Sequence, residues 1–287
     1  MDHAHPDREL SDREHVLYRR FPLAQRLMRA AVYWARETFV LPFLHKRLAR
    51  LPETVARRHI ASQVPDPELR RKLTPSYTIG CKRILISNDY YPAVAKPNVE
   101  LETGGIREIR PRSIVTADGR EIEVDVIVFG TGFRVTDMPA AELIRGRDGR
   151  SLAEVWNGSM QAYLGTSIAG FPNLFMVVGP NTGLGHNSMV FMIESQLAYV
   201  LDALRTMEAR RLSSVDVRPE VQEAYNEELQ DGLRDTVWST GGCASWYLDD
   251  TGRNTTLWPA GTWSFRTRTR RFDASRYTLR SRAAVPA

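Results

Sequence analysis

Only two cysteines, Cys81 and Cys243, occur in 287 residues, too few for a framework of several disulfides or for a cysteine-based zinc site. Such sparing use fits a reducing compartment, so a cytoplasmic location is expected, with no metal centre. The chain also lacks a long uncharged apolar run. Its most membrane-like stretch, residues 27–44, contains Arg29, Arg36, Glu37 and Pro42, and a charge at the centre of a bilayer costs about 2.5–3.5 kcal/mol. The stretch therefore reads as an amphipathic surface helix with Leu23, Leu27, Ala31, Trp34 and Thr38 turned inward, a peripheral membrane contact being the secondary reading. The first ten residues are polar and charged, so no apolar core of a signal peptide is read there. Repeats and low-complexity tracts are absent. Charge of one sign is scarce too: 39 Lys and Arg face 34 Asp and Glu, a net of +5. That balance suits anionic cofactor phosphates, and nucleic acid is not expected as a partner.

What is present is an ordinary globular composition, 43% hydrophobic and 25% charged, long enough for about two domains. Up to about residue 75 the pattern is helical. Ser11 and Glu14 have capping-box spacing, Pro22 closes the first helix, a second runs through Trp34, and a third covers residues 53–63. Asp66 with Pro67 opens a fourth. Beyond Pro75 the period becomes alternating, with strand candidates at 84–86, from Val99, at 106–109, and at 114–115. The last turns through Ala117-Asp-Gly119 into 121–124. Two apolar runs follow, at 126–129 and 174–179, and each ends in a glycine-rich turn. Both read as buried strands of a parallel sheet that bring backbone close to a nucleotide. After the second turn, Ser188 begins a long helix whose free N–H groups would favour negative charge. Ser151 and Glu154 form another capping box, Pro219 opens a helix closed by Gly232, and the tail carries Trp238, Trp246, Trp258 and Trp263 as aromatic anchors of an irregular wrapping segment. Several residues have bland readings beside sharper ones. Lys82 and Arg83 read first as a solvated pair before a strand, and His186 as a turn residue rather than a base. Arg266, Arg268, Arg270 and Arg271 read as one exposed face of an extended segment, with a phosphate site second. Met189 and Met192 read as core.

Four strings in order resemble the C-terminal half of flavin-containing, Baeyer–Villiger-type monooxygenases: Gly80-Cys-Lys-Arg-Ile-Leu-Ile-Ser-Asn-Asp-Tyr-Tyr-Pro92, Asp125-Val-Ile-Val-Phe-Gly-Thr-Gly-Phe133, Phe171-Pro-Asn-Leu-Phe-Met-Val-Val-Gly-Pro-Asn-Thr-Gly-Leu-Gly-His-Asn-Ser188 and Ser245-Trp-Tyr-Leu248. The resemblance implies an α/β flavoprotein that uses FAD, NADPH and O2 to insert oxygen into a ketone or to oxidise a soft heteroatom. It implies that Lys82 and Arg83 are catalytic. The arginine would lie over the flavin near the nicotinamide and stabilise the anionic flavin peroxide, a task for a guanidinium that keeps its proton. Gly130, Thr131, Gly132 and Phe133 would approach the FAD, and Asn187, Ser188 and Met189 would lie beside its isoalloxazine ring.

The departure from the family pattern is specific. Neither Gly-x-Gly-x-x-Gly turn of a two-dinucleotide flavoprotein is present, nor is the Phe-x-Gly-x-x-x-His motif between them. The expected organisation is a helical part of the NADPH domain (1–79), the end of that domain with a β-meander (80–125), the C-terminal part of the FAD domain (126–210), and a C-terminal helix and aromatic tail (211–287). On this reading Met1 is an internal methionine, and the chain is a truncated or split monooxygenase whose missing half lies on a separate chain. The alternative is an inactive remnant or a binding module that docks on another flavoprotein. Either way, strands deprived of sheet neighbours predict poor solubility.

Overall fold

The computed structural model describes residues 9–282 and resolves two compact units, each with its own contacts. In chain order the elements are α1 (Asp12–Arg20), α2 (Pro22–Thr38), α3 (Leu41–Leu44), α4 (Arg50–Gln63), α5 (Pro67–Leu73), α6 (Tyr90–Val94), β1 (Ile106–Ile109), β2 (Ser113–Thr116), β3 (Glu121–Glu123), α7 (Leu152–Trp156), α8 (Met189–Ala209), β4 (Leu212–Val217), α9 (Pro219–Leu233), α10 (Val237–Thr240), α11 (Thr262–Arg268) and β5 (Tyr277–Ser281). No helix among the described residues is long and apolar enough to cross a membrane.

The smaller unit comprises residues 53–76 and 85–134. Asp66 starts α5 as expected: its carboxylate accepts from the amides of Glu68 and Leu69, at 3.0 and 3.3 Å, and Pro67 fills the first helical position. The predicted meander is there as an antiparallel sheet in the order β1-β2-β3, with Ile114 opposite Ile109 and Ile122. Ala117-Asp-Gly119 makes the β2–β3 turn, and Gly119 N–H donates to the Thr116 carbonyl at 3.0 Å.

The run at 126–129 is not a strand. No described residue pairs with it, and Val126, Val128 and Phe129 are 76%, 87% and 70% exposed. An apolar β-branched run becomes a buried strand only when neighbours take up its backbone hydrogen bonds, and none is at hand. Residues 84–86 and 99–101 are likewise irregular.

The larger unit contains residues 9–52, 77–84 and 135–282. Ser11 and Ser151 form the two expected capping boxes, with Glu14 and Glu154. Helix α8 supplies the centre of the core, where Met192, Tyr199 and Ala203 pack against Val215, Tyr225 and Phe265. An antiparallel pair, β4 with β5, closes one side. Beneath it Tyr199 and Tyr277 share a hydrogen bond of 2.8 Å, and Tyr277 passes its own proton to Ser167 Oγ at 2.9 Å. Buried beside this chain, the Tyr225 hydroxyl has no partner. Burial pushes all three phenols well above the usual tyrosine range.

Several expectations are overturned in this unit. Residues 174–179 are irregular, with Val177 and Val178 exposed; the Met176 and Val178 amides donate to the Thr166 carbonyl and to Gln196 Oε1, at 2.8 and 2.9 Å, instead of to a neighbouring strand. Helix α2 lies with its predicted inward stripe outward: Leu23, Leu27 and Trp34 are exposed, Ala31 and Thr38 too, and Glu37 is the only buried residue of the helix. Gly232 does not close α9, which continues to Leu233. Arg266, Arg268, Arg270 and Arg271 are exposed as expected, but the first two lie on helix α11 and not in an extended segment, and the other two follow it in a bend. In α11, Arg266 pairs with Glu194 and Arg268 with Glu228. Trp238 and Trp258 anchor the tail in the core as expected, whereas Trp246 and Trp263 are exposed.

Candidate active site

The Cys81-Lys-Arg83 segment is held from both ends in the larger unit. Gly80 adopts φ +91, and a Cβ there would fall 2.4 Å from Phe43 Cδ1, so only glycine admits this turn against the aromatic ring. Cys81 is bonded to Cys243, their Cα atoms 6.2 Å apart, and packs in a buried cluster with Ala49 and Val237. A single link is within the cysteine count, but a closed pair gives no support to the expectation of a reducing compartment. Immediately beyond the anchor the chain turns into solvent: Lys82 and Arg83 are both exposed. The Lys82 ammonium sits 5.3 Å from the centre of the Tyr77 ring, a cation–π contact. Arg83 Nη1 donates to the Leu184 carbonyl at 2.9 Å. A shallow recess lined by Phe43, Gly80, Arg83, Gly185, Trp238 and Tyr247 lies at this junction. Burial raises the Tyr247 phenol, and the positive charge of Arg83 opposes it.

Leu184 belongs to the loop that launches α8, so one hydrogen bond joins Arg83 to the loop carrying Asn187, Ser188 and Met189. Ser188 is the N-cap residue, without a side-chain cap bond. The Asn187 side chain compensates by accepting from Ser188 N–H at 2.8 Å, which satisfies one of the unpaired amides at the helix start. Met189 is half-buried and packs on the core, and Met192 is fully buried.

The other face of the loop rests on Glu37. Asn187 Nδ2 donates to Glu37 Oε1 at 2.5 Å, Thr262 Oγ1 to Oε1 at 2.6 Å, and Thr262 N–H to Oε2 at 3.0 Å. His186 Nε2 is 3.6 Å from Oε1, and its ring is fully enclosed with neither nitrogen hydrogen-bonded. Burial pushes the His186 pKa down, with Glu37 pulling the other way. Sequence reasoning missed Glu37 as a site residue. Its one signal was an isolated acid in a stretch otherwise apolar and basic.

Gly130, Thr131, Gly132 and Phe133 lie in the smaller unit, all exposed, Phe133 at 93%. Gly132 has φ +89, and a Cβ on either glycine would meet nothing within 4 Å, so the backbone there is open to a ligand. Within the larger unit the donor set, an exposed guanidinium and ammonium, fits negative charge at the redox end of a flavin–nicotinamide pair. It does not fit the pyrophosphate end, which needs glycine-rich turns this sequence lacks.

No family model matches the chain. It is 55% identical over 276 residues, 96% of its length, to a Baeyer-Villiger monooxygenase of Pseudomonas aeruginosa, of which it covers 52%. A Baeyer-Villiger monooxygenase of Streptomyces coelicolor is 50% identical over 275 residues, or 95% of this chain and 53% of that protein. The chain thus spans about half the length of the curated relatives it matches. Among solved structures, a Rhodococcus cyclohexanone monooxygenase bound to NADP+ superposes with a TM-score of 0.71 at 30% identity, over 84% of this chain and 46% of that one. OTEMO in complex with FAD and NADP superposes at 0.72, with 26% identity, over 83% of this chain and 46% of the other.

Proposed function

Starting from the fact that this chain belongs to the Baeyer–Villiger-type flavin-containing monooxygenases, we propose that it forms the redox end of an FAD- and NADPH-dependent monooxygenase site. The substrate is a small ketone or a soft heteroatom compound, and O2 is the co-substrate. The chain corresponds to the C-terminal part of the FAD domain and a helical remnant of the NADPH domain. When bound, the flavin draws electrons from NADPH and supplies the oxygenating chemistry. The exposed Arg83 guanidinium holds negative charge at the reacting edge, fixed in direction by its bond to the Leu184 carbonyl. Lys82 adds a second positive charge beside it. Asn187, Ser188 and Met189 line the ring, and the first amides of α8 favour charge there. In the smaller unit, taken by itself, Gly130, Thr131, Gly132 and Phe133 offer open backbone for a cofactor contact. The observation that carries this reading is the Arg83–Leu184 bond, which ties a solvent-exposed cation to the loop at the start of α8.

The two dinucleotide turns that this sequence lacks belong to the catalytic unit, in a longer or a split form of the protein. The exposed apolar runs at 126–129 and 177–178 support that. They equally favour the second reading, a chain without chemistry that docks on another flavoprotein. A visible spectrum after FAD incubation and desalting tests the proposal. The chain alone is expected to come through colourless; with polypeptide supplying both turns it should retain the flavin band and oxidise NADPH. Retained flavin without NADPH oxidation would favour the docking module, and no flavin in either case would refute the cofactor site.

A further inference from the structure

Glu37 is a costly residue where it stands. A buried carboxylate loses several kcal/mol of hydration unless its oxygens are well satisfied, and its side chain is 5% exposed. The surroundings are shaped to it: a Cβ on Gly261 would lie 2.6 Å from Oε2, so no other residue at that position leaves room for the carboxylate. One turn earlier on α2, the Tyr33 hydroxyl lies 2.9 Å from Thr262 Oγ1. Since that hydroxyl already donates to Glu37, Tyr33 is the donor of the pair. The Tyr33 ring stacks on Phe191 at 5.0 Å, and the Arg266 guanidinium lies over Phe191 at 3.9 Å. The groups facing the carboxylate are therefore Asn187, Thr262 and His186, with Tyr33 and Arg266 behind them.

A carboxylate only accepts hydrogen bonds, so it dictates which way a neighbouring amide points. Asn187 must offer Nδ2 to Glu37, and this leaves Oδ1 for Ser188 N–H. We propose that Glu37 is a positioning residue of the monooxygenase site: it orients the Asn187 amide and braces His186, and so fixes the backbone from Leu184 to Ser188 on which Arg83 is seated. The proposal rests on the flavin reading given above for its functional consequence, but the tie itself is a property of this chain.

Amide hydrogen exchange at Ser188 reads the tie without any cofactor. In Glu37→Gln, one acceptor oxygen becomes a donor that opposes Asn187 or Thr262. Exchange at Ser188 is expected to rise about tenfold, the effect of about 1.4 kcal/mol, while exchange within α9 stays as in the native chain. Adding Asn187→Asp to Glu37→Gln reverses donor and acceptor, and the double variant should recover most of the protection that each single variant loses. FAD affinity, measured by flavin fluorescence in the form carrying both dinucleotide turns, should weaken about tenfold in Glu37→Gln; rescue in the double variant is read by exchange alone, because Asn187 itself lies in the proposed flavin site. Native exchange at Ser188 in Glu37→Gln would overturn the proposal, and so would altered exchange with unchanged FAD affinity. If the native form binds no FAD, the flavin reading fails, and the positioning proposal falls with it even if the tie persists in exchange.

Discussion

The bond between Cys81 and Cys243 closes a loop with a sequence separation of 162. On the chain-entropy treatment, closing a loop of that size withdraws about 5 kcal/mol of conformational freedom from the unfolded state near room temperature. This is an upper bound, because residues 85–134 within the loop belong to a separate unit that can keep structure after the larger unit opens. A realistic loss on breaking the link is about 2–5 kcal/mol. Cys81→Ala with Cys243→Ala is the suitable perturbation, since the cluster around Cys81 is apolar and alanine adds no buried hydroxyl. Guanidinium unfolding, followed by the fluorescence of buried Trp238 and Trp258, should give a lower midpoint in the double variant. The native chain in reductant should show the same shift, and the variant should not respond to reductant at all. Two rapidly titrating thiols in the native chain, with a midpoint indifferent to reductant, would refute the link and the stability assigned to it.

Three further outcomes are expected. Arg83→Ala should leave the melting temperature within a few degrees of native, because the side chain is exposed; if the proposed function holds, it should also lower kcat about 10²–10³-fold in the form carrying both dinucleotide turns, and Arg83→Lys should restore only part of it, since an ammonium lacks the fork. Arg268 holds the Glu228 carboxyl below its ordinary pKa of 4.5, so their pair stabilises above that pH and the contribution fades as the pH falls through the lowered value. Glu228→Gln should therefore cost under about 1 kcal/mol at neutral pH and nothing in acid, by urea unfolding at the two pH values. Val128→Thr with Phe133→Ser, at positions 87% and 93% exposed, should raise the monomer fraction in size-exclusion chromatography; an unchanged elution profile would mean that these side chains do not drive association.

Local chemistry was legible in the sequence wherever it closed on itself. The capping boxes of Ser11 and Ser151, the Asp66-Pro67 helix start, the Ala117-Asp-Gly119 turn and the start of α8 after Ser188 each depend on residues within a few positions. Distant partnerships were not. Strand β4 pairs with β5 across the whole of α9 to α11, and nothing near Leu212 announces Tyr277. Periodicity assigned α2 an inward apolar stripe, whereas the one buried residue of the helix is Glu37, whose partners Asn187 and Thr262 stand 150 and 225 positions away. The runs at 126–129 and 174–179 carry strand composition, but a strand is a relation between two segments. The roles read for Lys82 and Arg83 rest on resemblance alone, because an exposed basic pair before an apolar run has no chemical signature of its own.

The hydroxyl chain beneath β4 and β5 bears on how the protein meets alkali. Of the ten tyrosines in the sequence, Tyr199, Tyr225 and Tyr277 keep their protons well beyond pH 10.0 while folded, whereas an unfolded chain releases them near that value. Once the pH passes it, each such phenol removes about 1.4 kcal/mol of stability per pH unit, roughly 4 kcal/mol for the three together. Phenolate absorbance should then rise in two stages, a gradual one from the outer tyrosines and an abrupt one from these three and two further phenols that burial raises, Tyr163 and Tyr247, as the fold collapses.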